Sequence, residues 1–421
     1  MVELAIRTAM AALGGSLLEG LLGLDGGHRG ARVDCGSGHD ADFVGYRDKH
    51  FDTVVGPIRL RRAYYRCATC GTGVVPKDAE LGVSGVSMTP GLRAMVARVG
   101  ALAPFAKAGA LLGELAGVEL SIKRVERASE ADGSALQAAI SADAKATAAG
   151  TVTPLGPAGP LDKLYVAVDG TGVPALPSQT AGRVGKQADG RAATREAKVG
   201  VVFTQHSLDE KGRPVRDPGS SSYVATMEPV GAFSTLIEAE AARRGSRRAR
   251  QVVVLGDGAA WIWNLAANHF PAAIHIVDLY HAREHLHDLG AIVASHLGDA
   301  AKTWLDSRLA ELDRGDITAL TATARELRLP DTKAAEVQTA LGYFETNASR
   351  MRYAEFRAQG LFVGSGAVEA GCRSIVAQRL KLSGMRWSAS GASAILGLRC
   401  EEASGRWEQV WTRVNTQTSA A

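Results

Sequence analysis

Three short apolar runs between residues 164 and 278 constrain the fold of this 421-residue chain more than any other feature. Leu164 to Val168, Val252 to Leu255 and Ile274 to Val277 are almost uninterrupted stretches of apolar side chains. A strand with one wet face alternates polar and apolar residues, so continuous runs require cover on both faces. Two further strand-like runs, "KVGVVFTQ" from Lys198 and "SSYVATM" from Ser220, cluster with the first, and a helical pattern over about 231–245 precedes the second. This texture predicts a mixed α/β sheet. Each of the three runs also ends at an acid: Asp169, Asp257 and Asp278. A carboxylate at the end of a buried strand costs desolvation unless a positive group meets it.

Upstream, residues 31–76 read as a small β module. "CGSGH" (Cys35 to His39) precedes alternating segments and then "CATCG" with Cys67 and Cys70. C-x-x-C spacing puts two sulfurs on one knuckle, and a half-site some thirty residues earlier completes four N/S ligands, the number a structural zinc takes. The predicted Zn²⁺ set is Cys35, His39, Cys67 and Cys70, in a zinc-ribbon-like arrangement. A pair of buried or redox-active cysteines is the alternative. The apolar-periodic N-terminus predicts a helix that packs on the body or on a second copy, and with the module it fills 1–85.

Residues 86–143 read as a helix-turn-helix. One apolar-periodic helix, a turn at Gly117 and a second helix opened by Ser121 as N-cap outline it. Lys123, Arg124 and Arg127 on the second helix are placed to enter a major groove; a plain helical hairpin is the competing reading. Residues 144–160 are small and Pro/Gly-rich, like a linker.

Composition excludes little. A net charge of +4 argues for no nucleic acid by itself, although "RRGSRRAR" (243–250) holds five arginines without an acid, and 371–413 carries seven Arg/Lys against three Glu. A solvated face accounts equally well for either patch. No apolar run reaches about 18 residues, so no membrane span is expected, and five cysteines in a chain this long fit a reducing cytosol.

Asp169 and Asp257 each precede glycine, and strand carboxyl ends are where α/β sheets bind ligands. A single Asp-Gly is ordinarily a turn. Two of them, with Glu369 on a later helix, set three carboxylates to converge from separate elements. They repel unless a divalent cation lies among them, and Mg²⁺ accepts few side-chain oxygens while keeping room for water and phosphate. "VAVDGT" and "GDGAAW" also resemble motifs of haloacid-dehalogenase-type phosphatases. Ala167, however, stands where that family has its nucleophilic aspartate, and Trp261 where it has a further acid, so the covalent step has no nucleophile. A nicotinamide loop fails as well: Pro174 follows "DGTGV" too closely, and "GSGAVEAG" lacks the G-x-G-x-x-G spacing.

Taken together, "VDGTGVP", "GDGAAWIWN", "DLYHAREHL", "GSGAVEAGCRSIVAQRLKLSGMRW" and "YYRCATCG" make the chain resemble a bacterial insertion-sequence transposase of the DDE class. It is most like the ISKra group and more distantly like Mutator-type enzymes, with similarity over nearly the whole chain. It departs from them at His39, which replaces a cysteine of the first zinc half-site. The resemblance implies an α/β, ribonuclease-H-like catalytic domain over 161–295, a helical insertion over 296–360, and a catalytic helix with a basic tail over 361–421. The 112 residues from Asp257 to Glu369 accommodate that insertion. It further implies Asp169, Asp257 and Glu369 as a triad for Mg²⁺ (or Mn²⁺), with Asp278 and His281 as a catalytic D-x-x-H element. Arg379, Lys381 and Arg386 follow Glu369, where DNA phosphates approach.

Double-stranded DNA is the implied partner, as the terminal inverted repeats of an element and as target. A homodimer or larger assembly and a cytoplasmic, nucleoid-associated location without membrane follow from the same resemblance. The alternatives are a non-catalytic DNA-binding protein derived from a transposase, or another ribonuclease-H-like nuclease. Trp261 and Trp263 are expected in the core rather than as base-stacking platforms.

Overall fold

A computed structural model of the chain describes residues 2–152, 159–185, 187, 190 and 192–418. Contacts divide the chain into two compact units. One comprises Met1–Ala139 with Ala394–Arg399 and Arg406–Ala421; the other comprises Ile140–Ser393 with Cys400–Gly405. Two stretches beyond residue 393 therefore belong with the N-terminal part, a grouping that sequence order hides.

The first unit opens with α1 (Val2–Gly23). It continues into an antiparallel sheet in the order β1 (Arg32–Asp34), β2 (Asp40–Thr53), β3 (Gly56–Arg66), β4 (Gly73–Val74). Along the first half of β3 the side chains alternate, Ile58 and Leu60 turning inward while Arg59 and Arg61 face water; further on, Ala63 and Tyr65 on the other face join the Cys35 and Cys67 cluster. Leu18 and Leu22 of α1 pack on the Phe51, Ile58, Leu60 and Val83 cluster, and Glu19 accepts the Arg59 amide at 2.8 Å. The predicted packing of this helix on the body is thus observed. Its outer face stays bare, with Met10, Leu13, Leu17 and Leu21 each more than 60% exposed. By length and composition α1 is also the one helix among the described residues apolar enough to cross a membrane. The core helix of a soluble protein or a leader segment passes the same test of length and composition.

After α2 (Pro76–Glu80) come α3 (Pro90–Leu102), α4 (Phe105–Leu111), a π-helical turn at Leu112–Ala116 and the long α5 (Ile122–Ala148). Gly117 makes the predicted turn at φ +70°, a conformation that side chains resist. One cluster that includes Leu92, Val96, Leu112 and Val125 joins these helices. α5 runs on to Ala148, so the first residues of the expected linker 144–160 are helical, and 153–158 lie outside the described residues.

The second unit is built on a five-stranded sheet of β5 (Leu161–Pro174), β6 (Thr194–Gln205), β9 (Ser222–Thr226), β10 (Ala249–Gly256) and β11 (Ile274–Val277). The strand order is β11-β10-β5-β6-β9. β10 is parallel to β5 and β11, whereas β6 is antiparallel to β5 and β9, so β6 alone runs against the other four. A separate ribbon, β7 (Ser207–Leu208) with β8 (Pro214–Val215), follows β6. Val166, Ala167, Val253 and Val254 are completely buried, as continuous apolar runs demand.

Helices α6 (Pro177–Thr180), α7 (Val230–Arg243), α8 (Ala260–His269) and α9 (Leu279–Leu297) intervene between or follow the strands. The expected insertion, 296–360, is helical: α10 (Ala301–Arg314), α11 (Ile317–Arg325), α12 (Asp331–Asn347) and α13 (Tyr353–Ala358). Then come α14 (Gly366–Gly371), a π-helical stretch (Cys372–Ala377) and α15 (Gln378–Leu380). The last two helices, α16 (Ala389–Ala403) and α17 (Trp407–Thr418), complete the chain.

Candidate functional site

In the first unit, the folded β module brings Cys35, His39, Cys67 and Cys70 together, with one ligand atom from each lying within 4.8 Å of the others. The 3.7 Å between the sulfurs of Cys35 and Cys70 is far beyond a bonded pair. It matches the edge of a tetrahedron of sulfurs at zinc–thiolate distance, about 3.8 Å. Cys35 Sγ lies 3.9 Å from His39 Nδ1, so His39 takes its place in the set. Hydrogen bonds from Thr72, then the neighbouring Cys67 and His39, bring the Cys70 thiol down to about 6. A thiol that ionises readily is what metal ligation needs. These four residues can hold a metal such as zinc.

In the second unit, the register of the sheet explains where the acids stand. Leu255 of β10 lies opposite Ala167 of β5 in parallel pairing. Asp257 follows two residues after this last pair, in the bend beyond β10, and Asp169 two residues after it on β5. Asp169 does not end its strand, as the sequence suggested. β5 continues to Pro174 because β6 pairs with it as far as Thr194; what ends at this level is its parallel neighbour. Burial, together with the charge of Asp257, raises the Asp169 carboxyl above the ordinary range, against the hydrogen bonds it accepts. The two acids thus approach each other where β10 ends and β5 continues.

The third acid arrives from α14. Glu369 accepts a hydrogen bond from Ser365 Oγ at 3.2 Å. One turn beyond it, Cys372 donates its thiol to Asp169 Oδ2 at 3.3 Å. Burial, and then the charge of Asp169, push that thiol far up, with Glu369 adding to the effect; it stays protonated and serves as a donor. Lys381 Nζ bonds Thr171 Oγ1 at 2.5 Å, two residues along β5 from Asp169 and therefore on the same face. The three carboxylates are nonetheless not gathered as tightly as the Cys/His set, which among the described residues is the one group of three or more such ligands within 4.8 Å.

Asp278 is completely buried. Its Oδ1 caps α9 by accepting the amides of Tyr280 at 2.6 Å and His281 at 2.9 Å, and its Oδ2 accepts the amide of Ser365. These bonds tie the start of α9 to the start of α14 and engage both carboxylate oxygens of Asp278. His281 is half-buried, with Nδ1 3.1 Å from Glu284. Burial opposes its protonation, but the charges of Asp278, Glu284 and Asp257 outweigh it and raise the imidazole.

The remaining predicted residues divide. Arg379 is completely buried, 5.0 Å over the Trp387 ring, which corrects its assignment to DNA phosphates: a guanidinium inside the fold does not reach a duplex. Arg386 is exposed. Lys123 pairs with Glu126 at 2.9 Å, Arg124 is held by Asp52, and Arg127 is exposed. Trp263 is buried and stacked on His275, and Trp261 packs edge-on against Phe233; both serve the core, as expected. The arginine run at 243–250 is partly structural, since Arg243 pairs with Glu240 and Arg250 with Asp162.

Sequence reasoning missed Cys372, Ser365 and Tyr343. The first was legible as the residue one helical turn after Glu369. Tyr343 donates to the Asp257 carbonyl at 2.9 Å from a helix 86 residues away in sequence, and no local pattern announces it. Gly258 makes that approach feasible: it sits at φ +101°, and a Cβ there would come within 2.6 Å of the Tyr343 ring. No protein-family model matches the chain, and no curated protein sequence matches it at a significant level.

Two outcomes are expected. Purified protein carries roughly one zinc per chain, as four-ligand sites do, and the Cys67→Ser/Cys70→Ser double variant loses it by elemental analysis; a wild-type protein free of zinc contradicts the assignment. Asp278→Ala removes three amide contacts at once and lowers stability in urea by about 2 kcal/mol or more, because buried amides lose their acceptor. An unchanged midpoint contradicts the capping role.

Proposed function

We propose that the chain is a DDE-class DNA transposase that cleaves phosphodiester bonds at the ends of an insertion element and transfers the strand to target DNA. The observation that carries this reading is the proximity of Asp257, just past β10, to Asp169 on the neighbouring strand β5, with the helical segment of Glu369 secured to Asp169 by Cys372. Two further features support it. A sheet in which the second strand alone is reversed is the arrangement expected of a ribonuclease-H-like domain, and the helices between Ala301 and Ala358 lie where the insertion is expected.

Asp169, Asp257 and Glu369 would hold Mg²⁺ or Mn²⁺. The fit rests on the repulsion between Asp169 and Asp257 and on the placement of Lys381, whose ammonium is bonded to Thr171. Bound there, divalent ions activate the attacking oxygen and stabilise the leaving one. The chain's own residues supply the rest. Cys372 orients Asp169, Ser365 orients Glu369, and Asp278 anchors the helix that carries Glu369. His281, whose imidazole the surrounding acids raise, lies near enough to Asp169 for its charge to favour that carboxylate.

The Cys/His module is read as a zinc ribbon and α4–α5 as a helix-turn-helix that binds the element's terminal inverted repeats. Exposed Arg127 and Arg386, with Lys381, contribute contacts to phosphates. Assembly as a homodimer or larger, and a cytoplasmic location at the nucleoid, belong to the same proposal.

Asp257→Asn preserves shape and removes charge. DNA binding is expected to survive while strand cleavage in Mg²⁺ falls by several orders of magnitude. Normal cleavage by this variant makes Asp257 a turn residue and overturns the assignment. A wild-type protein that binds DNA but never cleaves it with any divalent metal supports the non-catalytic derivative instead.

A further inference from the structure

Beside the acids, the second unit contains a cavity of about 990 Å³ that the catalytic reading leaves unused. Its volume is at the upper end of ligand pockets. Half-buried Phe362 and Val363 provide an apolar floor, backed by the almost fully buried Phe203 and Leu361; the two phenyl rings meet edge-to-face at 5.6 Å. One wall is α14 at Gly366, Ala367 and Ala370, the same helix that carries Glu369. The β7–β8 ribbon overhangs the other side with Lys211 and Arg216. Tyr280, 60% exposed, stands at the mouth two residues from Asp278.

The charge of the lining is one-sided. Five cations border the cavity against Asp209 alone. Arg213 is matched by Asp209 at 2.8 Å, and Arg283 by Asp313 at 2.6 Å. Lys211, Arg216 and Arg357 have no ion-pair partner among the described residues; Arg357 bonds only the Asp313 carbonyl, at 2.9 Å. An apolar aromatic floor under three uncompensated cations suits a ligand with flat apolar rings and several negative charges. Nucleotides have that chemistry, and aromatic platforms beside cations are how unpaired bases are held.

We propose that this cavity holds unpaired nucleotides of a DNA strand, whose bases lie on the aromatic floor and against Tyr280 and whose phosphates lie along Lys211, Arg216 and Arg357. A strand is favoured over a free nucleotide because α14, which walls the cavity at Gly366, Ala367 and Ala370, also carries Glu369. The proposal rests on the reading of those acids as a DNA-cleaving site.

The test compares a blunt DNA duplex with the same duplex bearing a short single-stranded 3′ extension, by fluorescence anisotropy in EDTA. The extension is expected to tighten binding by about tenfold, the scale of one stacked base. Tyr280→Ala and the Lys211→Glu/Arg216→Glu double variant lose that increment and bind the blunt duplex as wild type does; all three residues are at the surface. An extension that adds nothing, or an increment that both variants keep, overturns the proposal. So does an increment abolished by millimolar dTTP that itself binds as tightly as the extension, which assigns the cavity to free nucleotide. Asp257→Asn keeps the increment, and this separates the two readings: if that variant still cleaves DNA while the increment depends on Tyr280, the catalytic assignment falls and the cavity assignment stands.

Discussion

In the second unit, Asp169 on β5 and Asp257, just past the end of β10, lie close enough for the charge of Asp257 to raise the Asp169 carboxyl, beside parallel strands that are otherwise mostly buried and apolar. The register from Val252 to Leu255 against Leu164 to Ala167 leaves no slack, because slipping one residue would turn every side chain to the opposite face. The hydrophobic pattern that aligns the strands therefore also brings the acids close. Burial raises Asp169 first and the charge of Asp257 adds to it, with Asp257 itself on the half-buried bend that follows β10.

Around that pair, the surrounding residues arrange themselves to hold the acids in place without neutralising them. Cys372 gives Asp169 a neutral donor, Ser365 does the same for Glu369, and Tyr343 grips the Asp257 backbone. Asp278, which looks like a fourth acid, satisfies backbone amides and locks α9 to α14. Lys381 bonds Thr171 on the strand of Asp169 and makes no salt bridge with it.

Much of this was legible in the sequence. The apolar runs gave away the buried sheet, C-x-x-C and Cys35/His39 gave away the cluster, and Gly117 marked the turn between helices. Less local matters were not legible. Asp169 looks like a strand end from its own neighbours, and only pairing with β6 extends β5 to Pro174. Arg379 reads as one more cation in a basic tail, and only tertiary packing against Trp387 shows it to be interior. Asp278 matched a motif by spacing, yet its role is set by the amide of Ser365, 87 residues on. Charge and spacing identify candidates; partners distant in the chain decide their roles.

The central claim is that repulsion between Asp169 and Asp257 is relieved by a divalent cation. Thermal unfolding of wild type and Asp257→Asn, each in EDTA and in Mn²⁺, tests it most directly. The account expects Mn²⁺ to raise the wild-type Tm but not that of the variant, and the variant in EDTA to melt no lower than wild type, because one buried charge has gone. Because burial raises the Asp169 carboxyl, metal-free wild type should also lose stability as pH rises through that raised value, the sign required when the folded state binds the extra proton. A Tm indifferent to metal, with Asp257→Asn less stable than wild type in EDTA, would contradict the claim.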